Sequence, residues 1–167
     1  MPNPEWLLKR ILHWTSGHPY LTQRLCRAAL ESSATEDLSA EQLIDRLCED
    51  VFFSHRARDR DDNLIFVRER VLRSEVDRAR LLDLYLRVRN RQRVPDDETN
   101  PLVSSLRLSG ITRLESGRLR VRNRFYERAF DAAWVKQNLP DAEVRRQREA
   151  YRRGVVRTLT LAGTVTL

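Results

Sequence analysis

Three observations predict a mainly helical fold that includes a winged helix-turn-helix. Apolar residues recur at helical spacing over most of the chain, the period turns to two only around one Ser-Gly pair, and the element order from about residue 62 is helix, helix, helix, hairpin, helix. We therefore place a small helical subdomain at residues 1–54, a charge-dense linker at 55–61, and a winged helix with a two-stranded wing at 62–139. A basic C-terminal helix at 140–157 and an apolar tail at 158–167 complete the expected organisation.

The first helix is expected from Glu5 to Thr15, where Leu7, Ile11 and Trp14 share one face with Leu8 and Leu12 beside them. Pro4 suits its first turn and Gly17 its end, because proline has no N–H to lose there and glycine tolerates positive φ. A second helix restarts at Pro19, with Leu21, Leu25, Ala28 and Ala29 as its stripe. Ser39 and Gln42 form a capping-box pattern opening a third helix, whose wide apolar face runs from Leu43 and Ile44 to Val51 and Phe52. Beyond the linker, Leu64, Val67 and Val71 resume helical spacing, and the pattern continues past Ser74 through Leu81, Tyr85 and Val88. Residues 94–99 contain Pro95 and three acids, and read as a loop.

Asn100 followed by Pro101 is a helix start, and Gly110 an end. Ile111–Glu115 and Arg118–Arg122 then flank Ser116-Gly117, a two-residue hairpin turn. In that register Leu114 faces Leu119 and Thr112 faces Val121 on the inner side, and Glu115 lies opposite Arg118. Asn123 caps a last helix bearing Tyr126, Ala129, Phe130, Ala133 and Trp134, which Asn138-Leu139-Pro140 stops.

The balance of 31 Lys+Arg against 24 Asp+Glu gives a formal charge of +7, which favours anionic partners without choosing among them. Chemistry is conspicuous by its missing motifs. The five glycines are too far apart for either phosphate-cradling Gly-rich loop, and His13, His18 and His55 lack the spacing that puts two metal ligands on one helical face. Cys26 and Cys48 stand alone at apolar helical positions and read as buried free thiols. No Ser lies in a nucleophile elbow. We therefore expect no catalytic residue, no metal, and no enzyme activity from this chain alone.

The run from Ile11 to Leu25, containing Gly17-His18-Pro19-Tyr20-Leu21-Thr22-Gln23, resembles the G-x-P junction in the helical lid of STAND-type ATPases, the AAA-like signal-transduction NTPases. The run Gly110 to Tyr126, with Arg120-Val121-Arg122-Asn123-Arg124-Phe125-Tyr126, resembles the wing and following helix of the winged-helix subdomain in the same proteins. The resemblance implies a regulatory lid and winged-helix segment, the C-terminal part of a larger switch ATPase or a truncation of one. Its first partner would be a nucleotide-binding core. ATP or ADP would be a cofactor only in the presence of that core, held through Gly17, His18, Pro19 and Asn123. Asn123 falls where the family often carries a histidine sensor, a departure that puts phosphate sensing in doubt; the same residues also read simply as helix punctuation and an N-cap.

A DNA-binding winged helix is the alternative, with Arg113, Arg118, Arg120, Arg122 and Arg124 on the wing. The expected recognition helix from Asn100 to Ser109 carries a single basic residue, Arg107, and base readout wants more. Nucleic acid therefore ranks below the core as partner. The N-terminus shows no secretory pattern, so a cytoplasmic location is expected. Basic residues before the Thr/Leu/Val-rich tail add an anionic membrane surface as a further expected partner, at the inner face of the membrane. The tail's length of about ten residues is too short to span a bilayer.

Overall fold

The structure is a computed structural model and describes residues 3–32, 38–54 and 60–140. The expected basic helix beyond residue 140, the apolar tail at 158–167 and most of the 55–61 linker lie outside the described residues. Within them the fold is mainly helical with one two-stranded antiparallel sheet, as the sequence predicts.

Helix α1 (Pro4–Thr15) is capped by Asn3, whose side chain accepts from the Glu5 N–H, and it ends where Ser16 and Gly17 both take positive φ. Helix α2 (Pro19–Glu31) starts three residues later. Helix α3 (Ala40–Cys48) opens with both hydrogen bonds of the Ser39–Gln42 capping box. It continues as one π-helical turn, Glu49–Phe53, closed by the Ser54 N–H donating to the Glu49 carbonyl at 2.8 Å. Adjacent side chains of a regular helix diverge by about 100°. In this widened turn both Phe52 and Phe53 are buried.

Helix α4 (Asp62–Leu72) carries the expected Leu64, Val67 and Val71 into the core. The apolar spacing continues past Ser74, but in a second helix, as the order of three helices before the hairpin requires. The chain breaks at Arg73, and Asp77 caps a separate helix α5 (Arg78–Arg89) by accepting from the Arg80 N–H. Helix α6 (Pro101–Leu108) follows, capped by Asn100. The hairpin of β1 (Thr112–Glu115) and β2 (Arg118–Val121) has the predicted register, and Ser116 and Gly117 both have positive φ, as a type I′ turn requires.

Two details of the wing differ from expectation. Residues 94–96 are not a free loop: the Leu119 N–H donates to the Val94 carbonyl at 2.9 Å and Pro95 bridges Arg118. Proline lacks an N–H, so this edge stays a bridge and does not extend into a strand. β2 thus lies between two neighbours and β1 is an edge. Leu119 is fully buried, whereas Leu114 opposite it is about half exposed and not on an inner face. The final expected helix is also two: α7 (Arg124–Ala129) and α8 (Ala132–Asn138). Asp131 splits them by capping the Trp134 N–H, and the buried Tyr85 hydroxyl donates to the Phe130 carbonyl that the break releases.

Buried residues from Ile11 to Val135 form one continuous cluster. Its junction is aromatic. Phe125, fully buried at the start of α7, stacks on Phe53 with centroids 5.3 Å apart and meets Phe52 at 4.6 Å and Trp14 at 5.6 Å. One side chain of the second half thus sits among three of the first. On α1, Leu8 and Leu12 are exposed, so the core stripe is narrower than expected: Leu7, Ile11 and Trp14. Among the described residues no helix is long and apolar enough to cross a membrane.

Candidate functional site

Gly17 and Pro19 are exposed, His18 is half-buried between them, and Asn123 is buried at the head of α7. Gly17 needs its φ of +75°, which is the left-handed region; a Cβ there would meet no atom within 4 Å. Its requirement is thus conformational, with open space around it. Pro19 occupies the first position of α2 and leaves its ring in solvent.

Tyr126 bonds Asn123 through its backbone and His18 through its hydroxyl. Its N–H donates to the Asn123 side-chain oxygen at 2.9 Å, the N-cap bond the sequence predicts. Its hydroxyl donates to Oδ1 of Asn63 at 2.8 Å and lies 3.3 Å from Nε2 of His18. A hydroxyl donating to Asn63 can receive its second bond from His18 in the tautomer that carries the proton on Nε2, which leaves Nδ1 as an acceptor. Burial first, and the Arg122 charge second, hold the imidazole below its ordinary value and keep it neutral. Burial also pushes the Tyr126 hydroxyl up to about 12, so it stays a hydrogen-bond donor at neutral pH.

Behind this junction Asp61, fully buried, accepts from the Leu64 N–H at 2.8 Å and pairs with Arg24 of α2. Arg24 also receives support from Tyr20 and lies over the Phe52 ring at 4.9 Å. The start of α4 is thereby tied to α2.

Several buried polar atoms here have no hydrogen-bond partner: Nδ1 of His18, Nδ2 of Asn123 and Nε of Arg122. Buried polar groups are seldom left this way, so their concentration beside one junction marks it as a candidate ligand site. Sequence reasoning found Gly17, His18, Pro19 and Asn123 but missed Asn63, Asp61, Arg24 and the tyrosine that joins them. Asp61 sat in the charge-dense linker, Asn63 was a polar residue at the start of the winged helix, and Tyr126 fitted a core stripe. The available signal was Asp61 as an N-cap three residues before Leu64. Among the described residues no group of three His, Cys, Asp or Glu side chains is arranged to hold a metal.

The chain is similar to an uncharacterized WD repeat-containing protein of the cyanobacterium Synechocystis sp., with 31% identity over 140 residues. The alignment takes in 80% of this chain and 12% of that protein, so the chain spans only a small part of its relative's length. No family model and no solved structure matches.

Proposed function

We propose that this chain is a regulatory lid and winged-helix segment of a STAND-type signalling ATPase, inert as a catalyst by itself. The observation that carries the reading is the pair of unpartnered buried atoms, Nδ1 of His18 and Nδ2 of Asn123, joined through Tyr126 across two separate parts of the chain. One is an acceptor and the other a donor, a combination suited to a sugar hydroxyl and a phosphate oxygen. Arg122 adds positive charge nearby, and the exposed ring of Pro19 offers an apolar face to a base. The residues present therefore fit a nucleoside diphosphate, whose remaining contacts a nucleotide-binding core would supply.

The relative gives the reading a further support. A repeat of the WD type is built of four-stranded blades, whereas the described part of this chain is helical with one hairpin. The shared segment is thus of a different kind from the repeats that name the relative, as expected for a separate module of a long multidomain protein. The DNA-binding alternative is weaker on this surface. Arg107, the single basic residue of α6, is held by Asp96 at 3.0 Å and by Glu98 at 3.2 Å.

Titrating ADP into the ¹⁵N-labelled chain tests the reading. Amide shifts should gather at residues 17, 18, 63 and 122–126 with weak affinity, a Kd of about 1 mM or above. They should vanish in His18→Ala and Asn123→Ala, and no phosphate should be released from ATP. Shifts confined to another surface, or turnover lost on mutating a residue of this chain, would overturn it.

A further inference from the structure

A second surface shares Arg122 with the nucleotide site proposed above and is otherwise lined by different residues. α6 and β1 enclose a groove of about 630 Å³. Leu108, at the end of α6, is 73% exposed there, and Leu114 on β1 is 48% exposed. Phe66 of α4, 55% exposed, lies outside the groove, with the Arg70 guanidinium over its ring at 5.0 Å and donating to the Leu108 carbonyl at 2.9 Å. Two large apolar side chains from neighbouring elements thus share one solvent-facing groove, unlike leucines scattered singly.

The polar lining is unbalanced. Arg107 is satisfied by Asp96 and Glu98, and Arg113 by Glu115 at 3.1 Å. The Arg122 side chain has no ion-pair or hydrogen-bond partner among the described residues, and its Nε is buried. Thr112, 1% exposed and also lining the groove, has an unpartnered hydroxyl. An apolar strip ending in an unpaired guanidinium and a free hydroxyl is complementary to apolar side chains followed by a carboxylate. The protruding leucines favour a peptide over a phosphate backbone, which offers them no apolar partner.

We infer that this groove docks an acidic amphipathic segment of a partner protein, its apolar face on Leu108 and Leu114 and one carboxylate on Arg122. The probe is a fluorescein-labelled peptide with Leu at helical spacing and Glu elsewhere, titrated by anisotropy against the full chain at about 0.15 M salt, where long-range attraction to the basic surface is screened. Saturable binding is expected. It should weaken about tenfold or more in Leu108→Ser/Leu114→Ser and to a similar degree in Arg122→Gln. The double leucine variant should melt like the parent because both side chains are exposed. Equal binding by the leucine variant, equal binding by a peptide with Lys in place of Glu, or preferential binding of duplex DNA that Arg122→Gln abolishes would overturn the inference.

Discussion

The Tyr126 hydroxyl, 3.3 Å from Nε2 of His18 and 2.8 Å from Oδ1 of Asn63, ties the α1–α2 junction and the head of α4 to α7. A single oxygen so placed serves two half-buried polar groups. Tyr126→Phe leaves both without it and should destabilise the chain by about 1–3 kcal/mol, read from urea midpoints. A loss below that range would show that solvent reaches the junction and satisfies Asn63 and His18 in its place.

The same junction gives the stability a pH dependence. His18 is held below its ordinary value near 6.5, first by burial and then by Arg122, and His13 is lowered in the same direction, first by burial and then by Arg124. The unfolded chain therefore binds these protons at a higher pH than the folded one. Stability should be flat above about pH 7 and fall as pH drops through 6.5 and below. Asp45 acts in a lower window: burial pushes it up, but hydrogen bonds from Arg10 and Trp14 outweigh this and hold it below 3.8. Urea midpoints at pH 7.5 and 5.5 should differ less in His18→Asn than in the parent. An equal difference would place His18 in solvent.

What the sequence made legible was whatever depends on neighbours. Caps, the Pro19 and Pro101 starts, the hairpin register and the positive φ of Gly17 and Gly117 are local physics, and the structure has each of them. The error arose where an apolar stripe crossed a cap: Phe130 and Asp131 divide the last expected helix in two while both pieces bury residues in one core. Hydrophobic periodicity is blind to such breaks when both helices bury the same side. The site was half legible for a related reason. Gly17, His18, Pro19 and Asn123 stand out as punctuation, but the partnership of His18 with Tyr126 spans 108 positions and has no local trace.

Gly17→Val tests the conformational argument. A Cβ at this position meets nothing within 4 Å, so the cost comes from the left-handed backbone alone. A β-branched residue should lower stability by at least about 1–2 kcal/mol. Gly17→Asn should cost clearly less, since asparagine visits that region. Equal melting temperatures for the parent and the valine variant would show that Gly17 adopts an ordinary conformation in solution.

The last prediction concerns how the two halves hold together. Phe125 belongs to α7, yet its ring lies among Trp14, Phe52 and Phe53 of the N-terminal helices, and Arg128 reinforces the joint by pairing with Glu49 and lying over Phe53 at 4.9 Å. Truncating a fully buried phenylalanine to alanine loses its transfer free energy and leaves a cavity, together about 3–5 kcal/mol. That is a large share of the roughly 5–15 kcal/mol typical of a whole domain. Because the cluster is continuous from Ile11 to Val135, the loss should appear in both halves together. In Phe125→Ala, hydrogen exchange of amides in α3 and in α5 should accelerate in parallel, and urea unfolding should remain a single transition at a lower midpoint. If α3 amides lost protection while those of α5 kept theirs, the halves would be separately stable and the aromatic junction merely a contact between them.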